Sequence, residues 1–347
     1  MIGSMNGNDG GVSLSPFACI GGLWATELTD ISADARVLET PGRWIAVLPY
    51  EGVPQFLLFS AWTDSRPAFI EDAWQGPEMS AWTSSLDESG YRAAVEATRQ
   101  SIARGDVYQA NICRVLSARN DSEASLLGLF DLLAAGNPAP YASIVHAPER
   151  GIEIVSASPE LFLRRDAATI VSGPIKGTGR TADDLLAKDA AENIMIVDLV
   201  RNDLSRVCSA GSIEVPRLLE VEEHPGLVHL VSEVSGVLEP EVSWAAIFDS
   251  TFPPGSVTGA PKSSALRLIE ELEPASRRFY CGALGWVDDC GQRAELAVTI
   301  RTFWRVNNML NFGTGAGVTW DSDPEAEWHE TELKARRLIA LASEGES

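Results

Sequence analysis

Strand-like runs dominate this chain, and they do not alternate regularly with helices. Apolar, β-prone runs recur at 43–49, 55–62, 107–117, 141–146, 152–157, 160–164, 168–172, 212–221, 227–238, 282–288, 294–305 and 309–313. Helical periodicity occupies 88–104, 123–135, 182–205, 241–250, 262–272 and 324–342. In the first of these helices Tyr91, Val95, Thr98 and Ile102 share a face, and Gly105 stands where a C-terminal stop belongs. A doubly wound parallel sheet needs a helix after nearly every strand. The grouping here instead predicts an α+β fold with large, mostly antiparallel sheets. The stretch 64–85 is rich in Pro, Trp and Ser, shows no period, and reads as a surface loop.

Charge narrows the function. The chain has 347 residues with 49 acids against 27 bases, a formal charge of −22. A nucleic-acid binder carries a basic footprint, so that class is excluded. No run of about 20 apolar residues exists, so no membrane-spanning helix is expected. Five scattered cysteines without a CxxC pair argue against a disulfide framework and for a reducing compartment. With no secretory signal visible, a cytoplasmic location is expected. Only four of the bases are lysines (Lys176, Lys188, Lys262 and Lys334), and the first comes halfway along the chain.

Lys176 sits in Ser172-Gly-Pro-Ile-Lys-Gly-Thr-Gly-Arg180, bracketed by glycines but without P-loop spacing. Two readings stand: an exposed turn lysine, or a lysine pointed into a ligand space that close-approaching backbone creates, where desolvation turns it into a nucleophile. Asp189 and Glu192 lie three apart on one helix, and Glu327 and Glu330 three apart on another, so each helix presents an acidic pair. Such pairs are solvated faces or hard oxygen ligands suited to Mg²⁺. Lys334 follows Glu330 by four residues, as an ordinary ion pair or an anion clamp. The stretch Asn311-Phe-Gly-Thr-Gly-Ala-Gly-Val318 lacks dinucleotide-binding spacing and reads as a tight turn or a strand end offering N–H groups to a carboxylate. Glu160 sits among apolar residues, where desolvation would make it a general acid. His229 lies on an apolar strand, and Arg301 ends another as a bidentate carboxylate partner. His224 and His329 show no zinc-ligand spacing with the cysteines.

These segments together resemble the chorismate-utilising enzymes. The matches run in family order: GDVYQANI (105–112), SASPELFL (156–163), GPIKGTGR (173–180), ENIMIVDLVRNDLSRV (192–207), GLVHLVSEV (226–234), FPPGSVTGAPK (252–262), ELEPASR (271–277), CGALGWV (281–287), TIRT (299–302) and GTGAGVTWDSDPEAEWHETELKA (313–335). The resemblance covers about 88–340. It implies the chorismate-binding fold: antiparallel sheets packed as a β-sandwich with helices outside. The implied organisation is a flexible 1–12, a shortened N-terminal region 13–85 contributing strands, a catalytic domain 86–342, and a tail 343–347. The short N-terminal region implies that the tryptophan pocket of longer relatives is lost.

At Lys176 the chain resembles the aminodeoxychorismate synthase branch, in which a lysine is proposed to attack chorismate before ammonia adds. The resemblance implies Glu160 as general acid, Glu192 and Glu330 as Mg²⁺ ligands, and Glu327 and Asp189 holding metal-bound water. It implies Arg301, Lys334 and the backbone at Gly315 and Gly317 as the substrate-carboxylate set, with Thr258 lining the pocket. His229 matches a histidine that assists pyruvate loss in anthranilate synthases. Gln109 stands where isochorismate-forming relatives have a water-activating lysine, which argues against water as nucleophile. Trp286 stands where many members have Tyr near the substrate. The implied partners are chorismate and ammonia, the latter free or from a separate glutaminase subunit. Anthranilate synthase component I and a non-catalytic chorismate-binding protein are the alternatives.

Overall fold

The computed structural model describes residues 14–68, 74–122, 124–179, 181, 187–224 and 227–343. The flexible segment expected at 1–12 and the start of the helix expected at 182 lie outside the described residues. In chain order the strands are β1 (Phe17–Ile20), β2 (Leu23–Ser32), β3 (Trp44–Leu48), β4 (Gln55–Thr63), β5 (Thr83–Ser84), β6 (Gln109–Arg119), β7 (Tyr141–Ala147), β8 (Ile152–Ser158), β9 (Leu161–Asp166), β10 (Thr169–Gly173), β11 (Ile175–Gly179), β12 (Glu214–His224), β13 (Leu227–Val237), β14 (Gly259–Ala260), β15 (Ala283–Asp288), β16 (Arg293–Val298), β17 (Thr302–Val306) and β18 (Met309–Val318). The helices are α1 (Glu88–Arg104), α2 (Leu127–Gly136), α3 (Ala187–Ser205), α4 (Trp244–Thr251), α5 (Lys262–Leu272) and α6 (Pro324–Ala342).

Among the described residues every strand pairing is antiparallel, and the pairings form one continuous ribbon. From one end it runs β6–β18–β17–β8–β7–β1–β2–β4–β3–β15–β16–β9. It then passes to β10, β13 and β12, with β11 continuing the line of β10 along β13. β5 and β14 pair on the outer edge of β6. Strands from residues 17–63 therefore form the middle of the ribbon, between its two ends.

Period-two alternation decides which side chains meet. Val145, Ile154 and Trp304 point to a core shared with β3, β4, β9, β15, β16, α3 and α4. Their neighbours Ile144, Val155 and Phe303 point the other way, beneath α2 and α6. The first core thus draws on strands from both halves of the ribbon, which is the expected sandwich, and helices cover its outside. A third cluster packs α1 and α5 on β6, with Tyr91 donating from its hydroxyl to the Ile112 carbonyl at 2.9 Å.

Local chemistry sets the element ends. Asp87 caps α1 by accepting from the Gly90 N–H, and Gly105 ends it in the left-handed region at φ 80°. Asp323 caps α6, with Pro324 in its first turn. Three sequence expectations need correction. The run 294–305 is two strands, because Arg301 takes φ 51° and the chain leaves β9 to pair with β8. The glycine-rich 313–318 is part of β18, not a turn. Within 64–85, Trp74 is 3% exposed and donates to the Ala342 carbonyl, so the segment is fastened to the end of α6.

One buried ion pair ties three elements together. Arg277, with no exposed surface, binds Glu273 through Nε and Nη2 at 2.8 and 2.6 Å, and also donates to the carbonyls of Val257 and Asn111. Glu273 in turn accepts from the Cys113 N–H. Removing one member leaves the other charge buried and unpaired. Arg277→Met should therefore cost about 3–5 kcal/mol, read as a lowered urea midpoint at unchanged slope.

Candidate active site

The two ends of the ribbon face each other, and the predicted residues gather where they meet. One end contributes β6, β18 and α6; the other contributes β11, β13 and α3. The clearest view is from Gly317 on β18. A Cβ there would lie 2.6 Å from Gln109 Nε2, 3.2 Å from Lys176 Nζ and 3.3 Å from Glu192 Oε2. Three polar side chains from three elements converge on a patch of backbone that a methyl group would fill. Gln109 is 1% exposed and its Oε1 has no protein hydrogen-bond partner. A buried acceptor left open in this way is costly unless a bound group satisfies it.

Lys176 lies on β11, and the exposed-turn reading is corrected. The ladder shifts register between Lys176 and Thr178, with Gly177 at φ 77°, a bulge of the kind that re-aims a side chain. Its Nζ donates to the Ser256 carbonyl at 3.1 Å. His229, 2% exposed, lies on the adjacent β13. Asn193 of α3 donates to the Leu230 carbonyl and accepts from Ser232, which pins α3 to β13 and fixes Glu192 one residue away.

Four carboxylates carry different burdens. Glu160 is 3% exposed, and desolvation pushes its pKa up to about 7. The Ser256 hydroxyl, the Lys176 charge, the Ile175 N–H and the Lys334 charge oppose that rise. Glu192 is also pushed up, first by burial and further by Glu327 and Glu330, against the pull of Lys176 and Lys188. Glu330 is held below its ordinary value, chiefly by Lys334, whose Nζ lies 2.6 Å away. Burial alone would lower the Lys334 ammonium, but Glu330, Glu327 and Glu192 reverse that and hold it raised. Water still reaches Glu330 and Lys334, 46% and 41% exposed, although protein surrounds them on most sides; the pair lies in an open concave cleft. Glu327 is 2% exposed, bound through Oε1 to Lys188, with Oε2 unpartnered.

The remaining predicted residues divide. Lys334 Nζ also donates to the Gly315 carbonyl at 3.0 Å, which joins α6 to β18 at the cleft. Arg301 is partly buried, its pKa lowered by desolvation against the attraction of Glu160. Asp189 stands in the first turn of α3. Thr258 is fully buried and its hydroxyl donates to the Pro254 carbonyl, so it shapes the turn that presents Ser256 and shows no surface to the cleft. Trp286 is not brought to this group. Its ring lies under the Arg43 guanidinium at 5.5 Å, beside Gly21, among the N-terminal strands. Sequence reasoning missed Lys188 and Ser256. The i, i+4 spacing of Lys188 and Glu192 was a visible signal; nothing marked Ser256.

The Glu160 shift has a stability consequence. Its folded pKa is raised above the ordinary 4.5, so its contribution is fully present below about pH 4.5 and is lost as pH rises to about 7. Relative to Glu160→Gln, the wild type should lose about 3 kcal/mol between about pH 4.5 and about pH 7.5, measured by urea unfolding.

A cleft of this composition suits a small anion carrying carboxylates, gripped by lysines and Arg301 and offered a protonated carboxyl. Comparisons with known proteins agree. The family model for chorismate binding enzymes matches residues 60–340. Aminodeoxychorismate synthase component 1 of Escherichia coli is 34% identical over 313 residues, covering 85% of this chain and 68% of that protein. An anthranilate synthase component I-like protein of Synechocystis is 36% identical over 270 residues, covering 74% of this chain and 55% of that one; the chain thus spans about half the length of this relative. The menaquinone-specific isochorismate synthase of Escherichia coli shares the fold at a TM-score of 0.79 and 18% identity, over 96% of this chain and 89% of that one. The chain belongs to the chorismate binding enzyme family.

Proposed function

We propose that the protein is an aminodeoxychorismate synthase component I, which converts chorismate and ammonia to 4-amino-4-deoxychorismate. The observation that carries this reading is Lys176, on a bulged strand, with its Nζ converging with Gln109 and Glu192 on Gly317. An amine there is a nucleophile; the Gln109 amide cannot activate water.

In this reading the Lys176 amine attacks C2 of the ring. The double-bond pair shifts, and the C4 hydroxyl leaves as water with the proton of Glu160. Ammonia then adds at C4, the pair shifts back, and the lysine amine is expelled. Glu160 suits the first step because burial raises its pKa to about 7, which leaves a large share of it protonated at neutral pH. Arg301 and Lys334 hold substrate carboxylates, and His229 stands on β13, the strand paired with that of Lys176. The donor set fits Mg²⁺, since Glu192 and Glu330 are hard oxygen donors beside the unpartnered Oε2 of Glu327. Glu192 and Glu330 would hold the ion, with Glu327 and Asp189 around its waters, and Mg²⁺ would supply charge neutralisation for the ring carboxylate. The nitrogen comes from free ammonia or from a separate glutaminase subunit, and the setting is cytoplasmic.

Relatives named anthranilate synthase are as similar, so anthranilate formation is the second reading. Chorismate, Mg²⁺ and ammonium separate the two: aminodeoxychorismate accumulates in the first case, fluorescent anthranilate forms without a lyase in the second. Lys176→Ala should lose roughly a hundredfold or more of aminodeoxychorismate formation, and full retention would defeat the nucleophile assignment. Gly317→Ala should keep the wild-type melting temperature but lower kcat/KM by about a hundredfold, because the added methyl displaces Gln109 first and crowds Lys176.

A further inference from the structure

Lys188 stands outside every role assigned so far. It rises from the first turn of α3 at one end of the ribbon and crosses to α6 at the other. Its ammonium lies 2.5 Å from Glu327 Oε1, 3.3 Å from Ser322 Oγ and 3.7 Å from Glu192 Oε1. Among the described residues no group of three or more His, Cys, Asp or Glu side chains is arranged to hold a metal, although Glu192, Glu327 and Glu330 are close enough to perturb one another electrostatically. Lys188 is inserted in that group. It is 32% exposed while Glu327 is 2% exposed, so the lysine is the cationic partner of a carboxylate that water barely reaches.

We propose that Lys188 is an internal counter-cation that ties down Glu327 and keeps it out of the metal's ligand set, so that the site offers only Glu192 and Glu330 directly. The inference rests on the Mg²⁺ reading above. Its physical content is ligand number. Mg²⁺ keeps several waters and accepts one or two carboxylates, whereas Ca²⁺ takes six to eight oxygens in flexible geometry. A lysine that sequesters the third carboxylate holds the site to the first regime and weakens it by its own charge. Lys188 is therefore a positioning and specificity-determining residue, acting through Glu327.

The test is calorimetric titration of the intact protein with Mg²⁺ alone and with Ca²⁺ alone, without substrate. Lys188→Met should bind both ions more tightly, with a gain for Ca²⁺ of about tenfold or more that exceeds the gain for Mg²⁺. Lys188→Arg should bind like the wild type. In chelator Lys188→Met should melt below the wild type, and Ca²⁺ should restore it. Where the Met variant does not fold, Lys188→Gln, whose shorter side chain brings no charge to Glu327, should give the same readout. Affinities unchanged in the charge-removing variant, or a loss of Mg²⁺ binding in it, overturn the role of Lys188 alone. Absence of Mg²⁺ binding by the wild type overturns the metal reading and this inference with it.

Discussion

The molecule depends on the closure of one antiparallel ribbon upon itself. β6 and β18 are joined over ten residue pairs, from Met309 opposite Arg119 to Val318 opposite Ala110. That ladder sets Gln109 and Gly317 at one end of the ribbon, while β11 and α3 set Lys176 and Glu192 at the other. No short-range contact brings these residues together. Their meeting depends on the sandwich core, in which Trp304 and Ile154 from one half pack with Phe56 and Leu163 from the other. Chemistry at the cleft is thus built on side chains whose mutual distances are set by apolar packing well away from it.

The same closure gathers cations into one seam of a chain whose formal charge is −22. Lys176, Lys188 and Lys334 all project into the seam, each placed among carboxylates. Lys262, the fourth lysine, is paired with the buried Asp203. The surface repels anions in bulk, and the local field at the seam is what an anion would experience on entry. The carboxylates are not equivalent in that field: desolvation raises Glu160 and Glu192, whereas its lysine partner lowers Glu330.

Much of this was legible in the sequence where local chemistry dominates. The bounds of α1 and α6 follow from caps, and those of α5 from apolar periodicity after Pro261, signals that are local by nature. What escaped was decided by distant partners. The break at Arg301 interrupts a run of good strand formers, and only the exchange of β9 for β8 as partner requires it. Glycines weaken strand signals, yet β18 needs them because Cys113, Tyr280 and Gln109 lie where side chains would be. β1 and β2 escape the sequence pattern, since β1 is a buried run of only four residues and β2 is partly exposed and shows no clean alternation. The site residues were named largely through family resemblance, and residues such as Lys188 and Ser256, whose roles arise across elements, left almost no trace in the linear pattern. Trp286 shows the converse: its motif pointed to the substrate, and the fold places it against Arg43.

The place of β1–β4 in the middle of the ribbon has a consequence for how the chain is made. The connector between the two halves emerges from the ribosome before the strands it joins, and β3 has to wait for β15 as an open edge while more than two hundred intervening residues are synthesised. Unpaired strand edges are templates for misassociation, and pairings this distant in sequence form slowly. Newly made chains should therefore spend a long interval in need of shielding, and the cleft, which both ends must reach, is among the last features to be assembled.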